Sequence, residues 1–184
     1  MLFEYETCRL VLKILRPEDA SMVLDFYMRD RELFEKYEPD RMNNFYTLSH
    51  QTNLLKCEYD LAFKFSTIRF YVFLRSNPDY IIGTVCFHNI RKSYYSTCEV
   101  GYKFSSMFHH KGYASEALEK GIDVMISELG MHRICAWVHP DNFSSIRLLS
   151  RIGFEKEGIC RDYLFLHGQW QDHLQYSLVT PRLS

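Results

Sequence analysis

Three strand-like runs follow one another in the middle of the chain, Ile68–Arg75, Tyr80–Asn89 and Tyr94–Phe104, with only four residues between neighbours. Connections that short join antiparallel strands, because a parallel pair needs a crossover of about a dozen residues or more. An all-parallel doubly wound sheet is therefore excluded. Beyond these runs, Ala114, Ala117, Leu118, Ile122, Met125 and Leu129 recur near the helical period, which predicts a helix over Tyr113–Leu129 closed by Gly130. A short strand, His132–Val138, follows it and completes a β-α-β unit. Upstream, Arg9–Leu15 alternates as a strand, and Pro17 with Glu18 and Asp19 opens a helix reaching about Met28. Asp30–Ser49 is charged, aromatic and broken by Pro39 and Asn43-Asn44, and a second helix covers Leu48–Lys64. Downstream, a helix over Asn142–Ile152 stops at Gly153, and Glu155–Leu166 and Trp170–Val179 form a hairpin turning at His167-Gly168. The expected fold class is α/β, with a mixed, mostly antiparallel central sheet flanked by helices. No repeat or linker divides the chain, so residues 1–184 are expected to form a single domain.

Hydrophobic residues are 47% of the chain and charged residues 24%, the balance of a folded globular protein. A formal net charge of −1 argues against a nucleic-acid partner held by a basic face, because phosphate neutralisation needs clustered Lys and Arg. It is compatible with a local cationic site for a small phosphate ligand. None of the six cysteines is spaced as C-x-x-C, and Cys86, Cys98 and Cys135 fall inside apolar strand-like runs. They are expected to be reduced core thiols in a cytoplasmic protein. The start, Met1-Leu2-Phe3-Glu4-Tyr5-Glu6, has no continuous apolar region, and no run is long enough to span a bilayer, so no membrane association is expected.

The most informative stretch is Met107-Phe108-His109-His110-Lys111-Gly112-Tyr113-Ala114-Ser115-Glu116-Ala117, where a strand passes through a small-residue loop into the strong helix. The first N–H groups of a helix have no partner within it and carry partial positive charge. A pyrophosphate fits such a cradle. Gly112 lets backbone approach phosphate, while Lys111, His109 and His110 add positive charge. The plain alternative is a surface loop before an ordinary helix. Neither G-x-x-x-x-G-K-[ST] nor G-x-G-x-x-G occurs.

This stretch resembles motif A of the GNAT superfamily of N-acetyltransferases, Q/R-x-x-G-x-G/A, with His109, Gly112 and Ala114 at the first, fourth and sixth positions. Its extension Lys111-Gly112-Tyr113-Ala114-Ser115-Glu116-Ala117-Leu118 is similar to the RimJ/RimL group of ribosomal-protein N-terminal acetyltransferases. The block His139–Gly158, marked by Asn142, Ser145 and the Gly153-Phe154 exit, resembles motif B, and Cys98-Glu99-Val100-Gly101-Tyr102 resembles the family's fourth strand. The resemblance implies a GNAT fold with splayed central strands, here Tyr94–Phe104 and His132–Val138, and acetyl-CoA as cosubstrate. It implies contacts to the cofactor from His109, His110, Lys111, Gly112, Tyr113, Ala114, Asn142 and Ser145, and from the backbone of Tyr102 and Phe104. The implied acceptor is a protein or peptide α-amine, possibly a ribosomal-protein N-terminus, and the implied assembly a monomer or homodimer.

Amide formation from a thioester needs a neutral amine, a polarised carbonyl and a stabilised thiolate. Glu99, a carboxylate in an otherwise apolar and aromatic strand, is the candidate base; otherwise it is a surface-facing strand residue. Many relatives place a Tyr seven residues after the motif B Asn to protonate the thiolate, and Leu149 stands there. Relatives of the RimL type place a Ser at the position of Ser145, which implies a hydrogen bond to sulfur; the alternative is a helix first-turn Ser beside an Asn142 cap. His109-His110 lacks a third ligand at metal spacing, so no metal is expected. Of Phe26, Tyr27, Phe34, Tyr37, Phe45 and Tyr46, most are expected in the core and one or two in an acceptor groove. A small-molecule amine acetyltransferase is the rival enzyme, favoured for a polycationic acceptor if Glu35, Glu38, Asp40 and Glu58 line that groove. A non-catalytic coenzyme A-binding regulatory module is the rival from another class.

Overall fold

A computed structural model describes residues 1–180; Pro181-Arg182-Leu183-Ser184, the end of the expected 1–184 domain, lie outside the described residues. Strands β1 (Glu4–Glu6), β2 (Leu10–Lys13), β3 (Ile68–Leu74), β4 (Asn77–Arg91), β5 (Thr97–Phe104), β6 (Arg133–Val138), β7 (Glu155–Leu166) and β8 (Gln169–Val179) form one sheet in the order β1-β2-β3-β4-β5-β6-β8-β7. Every neighbouring pair is antiparallel except β5 with β6. The helices are α1 (Ala20–Arg29), α2 (Arg31–Glu35), α3 (Leu48–Phe63), α4 (Tyr113–Ser127) and α5 (Phe143–Arg151). The mixed, mostly antiparallel sheet flanked by helices is the architecture that the order of segments predicts.

The larger departures from the expected segments each have a local reason. Strand β1 is only three residues long and acidic at both ends, so its pattern is too short to recognise, yet Tyr5 is buried opposite Leu12. Strand β5 begins at Thr97 and not at Tyr94, because Tyr94 and Tyr95 project into solvent between Ser93 and Ser96, both with positive φ. Strand β4 begins at Asn77, since Arg75-Ser76 alone makes the turn. Its Pro78 falls where the β3–β4 register jumps, a place where a missing N–H costs little.

Side-chain alternation divides the sheet into two faces. On one, Cys98, Val100 and Phe104 of β5 join Ala117, Leu118, Ile122 and Met125 of α4 and Leu149 of α5 in the larger core. On the other, Val11, Tyr71, Phe73 and Ile81 pack with Val23, Phe26 and Tyr27 of α1 and Leu55 of α3. Two apolar layers, one on each face, cover the sheet that carries the site.

That site begins where β5 and β6 part. Their parallel pairing covers only Thr97–Glu99 against Arg133–Cys135. Beyond it β5 stays with β4 as far as Phe104, while β6 stays with β8 as far as Val138. The Ser105 N–H donates to Ile82 O, so by antiparallel alternation Lys103 and Gly101 turn their backbone groups toward β4. Tyr102 and Phe104 therefore turn theirs into the gap.

Candidate active site

The gap opens into a cleft of about 1170 Å³ bounded by β4, β5, β6, the start of α4, α5 and the segment after α2. At its phosphate-sized end, β5 passes through a short turn, Ser106–Phe108, and the loop 109–112 into α4. The Asp30 carboxylate accepts hydrogen bonds from Ser106 N–H (3.1 Å) and Oγ–H (2.6 Å), fixing where the loop starts. His110 and Gly112 both have left-handed backbone, φ 60° and 79°. Gly112 is the residue that adopts this without strain, and it stands at the N-cap of α4. Glu116 N–H closes on Gly112 O, so the N–H groups of Tyr113, Ala114 and Ser115, all lining the cleft, precede the first helical bond. The cradle suits a pyrophosphate.

The loop is clamped from outside by a residue that sequence reasoning missed. Arg9 donates through Nη1 to Lys111 O (2.9 Å) and through Nε to Glu116 (2.6 Å), and it lies 4.6 Å from the Tyr113 ring centre. Glu116 also accepts from Arg9 N–H and Thr7 Oγ–H. Nothing in the sequence couples two residues so far apart. His109 lines the cleft, but its Nε2 lies 2.9 Å from Phe104 O, so the ring braces the loop against the end of β5. His110 lines the cleft, and the Lys111 ammonium lies 5.3 Å from the ring centre of Phe108, itself a lining residue. Arg147 and Arg151 of α5 also line the cleft, as do Lys36, Arg69 and Lys103.

Asn142 and Ser145 meet at the start of α5, where Asn142 Oδ1 accepts the Ser145 N–H at 3.1 Å. Ser145 Oγ lies 2.6 Å from the Tyr102 hydroxyl, so the Tyr102 side chain enters the site along with its backbone. Burial pushes the Tyr102 phenol up to about 12, although the Ser145 hydrogen bond acts the other way. Leu149 is fully buried in the core.

Glu99 lies on the opposite face of β5, half-buried, with His88 beside it in register on β4. His88 Nδ1 is 3.9 Å from Glu99 Oε2, beyond direct hydrogen-bond reach but close enough to feel its charge. Burial holds the His88 imidazole below its ordinary value, with Glu99 opposing, so it is neutral at pH 7. Further along the same face come Gly101 and then Lys103, which is ion-paired to Glu38. Burial pulls the Lys103 ammonium down to about 8, and Glu38 works against that shift. Gly101 has nothing within 4 Å of where a Cβ would stand, so it leaves the floor between Glu99 and Lys103 open.

The far wall is Trp137 stacked on Tyr163 at 4.5 Å, with His173 and His139 beyond. Phe34 and Tyr37 are the N-terminal aromatics that line the cleft, while Phe26 and Tyr27 are core. Three of the four acidic residues of this region have cationic partners, Glu35 with Arg31, Glu38 with Lys103 and Arg41, and Glu58 with Arg69, while exposed Asp40 has only the His167 imidazole beside it. Among the described residues no group of three or more His, Cys, Asp or Glu side chains could hold a metal ion, and no helix is long and apolar enough to cross a membrane.

A glycine-cornered helix start, strands that part beside it, and a carboxylate and a hydroxyl pair on opposite faces of the parting define an acyltransferase of the acetyltransferase kind. The family described as "Acetyltransferase (GNAT) domain" matches residues 9–155, and the chain belongs to it. It is 34% identical over 177 residues to the [ribosomal protein uS5]-alanine N-acetyltransferase of Escherichia coli (strain K12), covering 95% of this chain and 90% of that one. The ribosomal-protein-S5-alanine acetyltransferase structure from Vibrio fischeri superposes with a TM-score of 0.90 at 30% identity, covering 96% of each chain. Mycobacterium smegmatis RimJ in complex with CoA-disulfide gives a TM-score of 0.87 at 25% identity, over 92% of this chain and 81% of that one. The chain is thus an N-acetyltransferase of the RimJ/RimL type with the splayed GNAT sheet.

Proposed function

We propose that the protein transfers an acetyl group from acetyl-CoA directly to the α-amine of a protein N-terminus, in a ternary complex, as a cytoplasmic enzyme whose residues 1–184 act as one domain. The observation that carries this reading is the gap between β5 and β6, with the α4 cradle at one end, Glu99 on one face and Ser145 on the other. The names of the relatives supply the acceptor class: the Escherichia coli protein is named for an alanine of ribosomal protein uS5.

In this mechanism the N–H groups of Tyr113, Ala114 and Ser115 hold the pyrophosphate behind Gly112, and His110, Arg147 and Arg151 add positive charge. The free backbone groups of Tyr102 and Phe104 align the pantetheine arm as an added strand. Phe104 O is already engaged by His109, so the arm takes the groups that remain. An N–H of β5 facing the gap polarises the thioester carbonyl. An α-amine, with an ordinary pKa near 7.7–8.0, is already partly neutral at pH 7. Glu99, directly or through a water shared with His88, takes the remaining proton as the nitrogen attacks. Ser145 donates a hydrogen bond to the departing sulfur.

Direct transfer in this mechanism uses no cysteine nucleophile. Cys86 and Cys98 are buried, and burial pushes the Cys98 thiol up to about 12, which leaves no nucleophilic thiolate there. Glu38, the one of those four acids that lines the cleft, is already held by Lys103 and Arg41, which speaks against its drawing in a polyamine. The test is release of coenzyme A thiol with a panel of acceptors. Peptides with small uncharged first residues, alanine first among them, should be acetylated on the α-amine, and polyamines and aminoglycosides should not. Faster turnover of a polyamine than of every peptide would overturn the acceptor class.

A further inference from the structure

Tyr102 and Ser145 come from different elements, β5 and α5, and meet inside the cleft with their hydroxyl oxygens 2.6 Å apart. One of the two protons must lie between them, and the other is free to point elsewhere. The Ser145 N–H is already taken by Asn142, so the serine is fixed at its backbone and its hydroxyl is the mobile part. Tyr102 Oη also lies 3.4 Å from Ser145 O, which keeps the phenol against the first turn of the helix. A phenol is the stronger donor of the two hydroxyls, and an alkyl hydroxyl oxygen the stronger acceptor. The favoured arrangement therefore has Tyr102 donating and Ser145 accepting, with the Ser145 proton turned away from Tyr102 into the cleft. Leu149, at the place where many relatives hold a tyrosine, is fully buried and offers no donor.

We propose that Tyr102 is a positioning residue for the leaving group: its hydroxyl aims and polarises the Ser145 O–H toward the coenzyme A sulfur. Donation into Ser145 oxygen strengthens the bond that Ser145 makes onward, as in any hydrogen-bonded chain. The proposal rests on the acetyl-CoA reading of the cleft. In the step itself the C–N bond forms and the amine proton passes to Glu99. The C–S bond breaks with its electron pair on sulfur, which leaves as a thiolate held by Ser145 and takes its proton from solvent. Tyr102 keeps its own proton throughout.

The experiment needs no acceptor. The thiol of bound coenzyme A is titrated by thiolate ultraviolet absorbance, as a difference against the same protein holding a desulfo analogue. Four proteins are compared: wild type, Tyr102→Phe, Ser145→Ala and the double variant. The wild-type complex should show a thiol pKa below that of free coenzyme A. Ser145→Ala should return it toward the free value, Tyr102→Phe should do so in part, and the double variant should match Ser145→Ala alone. With an acceptor, kcat of Tyr102→Phe should fall about tenfold while acetyl-CoA Kd stays within twofold. A fluorotyrosine at 102, a stronger donor of nearly the same shape, should lower the thiol pKa further. A bound thiol that ignores Tyr102→Phe and the fluorotyrosine, or effects of the two substitutions that add in full, would overturn the role. Failure of every amine to turn over would instead remove the acetyltransferase reading, and the thiol titration would still decide on Tyr102.

Discussion

Glu99 and Tyr102 are three residues apart on one strand, and an odd separation puts them on opposite sides of the sheet. In the proposed mechanism, deprotonation of the amine and departure of sulfur therefore fall on different faces, with the carbonyl in the gap between them. Glu99→Gln should lower kcat by roughly 10²–10⁴, the range for a lost general base, and leave acetyl-CoA affinity unchanged. Rising pH should partly rescue it as more amine becomes neutral, and an unaltered pH–rate profile would refute the role. Gly101 permits a cleaner test, because the space above it is empty. Gly101→Val should leave thermal stability within about 1 kcal/mol, since strands favour β-branched residues. It should lower kcat/KM for a peptide acceptor more than tenfold, with acetyl-CoA binding intact by calorimetry. Glu99 was legible in the sequence because a carboxylate interrupts an apolar strand. His88 was not, because its place beside Glu99 depends on hairpin register, and that depends on the irregular ladder between His88 and Arg91.

Helix α4 is the most legible element and the one that depends most on a distant partner. Its apolar stripe is plain in the sequence, and Ala117, Leu118, Ile122 and Met125 are all buried. The bend ahead of it is held by the Arg9–Glu116–Thr7 cluster at the start of β2. Arg9 is nearly half exposed, so its ion pair is screened and is worth about 0–1 kcal/mol. Arg9→Ala should therefore weaken acetyl-CoA binding by up to about fivefold, with a small change in melting temperature. Glu116→Gln should do the same, and the double variant should be no worse than either, as for partners in one contact. Calorimetric titration of the three proteins checks this. The β5–β6 parting could be placed only through the family resemblance, since two strands that diverge have the same local pattern as two that pair.

Across the molecule, Glu35, Glu38 and Glu58, carboxylates that looked available in the sequence, are each held by an Arg or Lys. Arg31–Glu35 and Arg41–Glu38 are local, whereas Lys103–Glu38, Arg69–Glu58 and His167–Asp40 join separate segments whose pairing no local pattern shows. Lys103 makes its consequence measurable. Its value of about 8 lies below the ordinary lysine value near 10.4, so between those limits the unfolded chain holds more protons than the folded one. Stability from this group must then rise with pH from about 8 upward. Lys103→Met should remove that rise, so the difference in melting temperature between wild type and variant should change with pH between about 7.5 and 9.5. A constant difference across that window would mean that Lys103 is not desolvated.

The wall opposite the catalytic strand gives the protein its own optical reporter. Of the chain's two tryptophans, Trp170 stands in solvent, whereas Trp137 is stacked on Tyr163 with its indole N–H buried and unpartnered. Indole emission responds to the polarity beside the ring, so whatever fills the cleft should alter the signal from position 137 and leave position 170 silent. Trp170→Phe would give a single-fluorophore protein. Its emission, followed during stopped-flow mixing with acetyl-CoA and then with peptide, should report the order in which the two substrates arrive without any label.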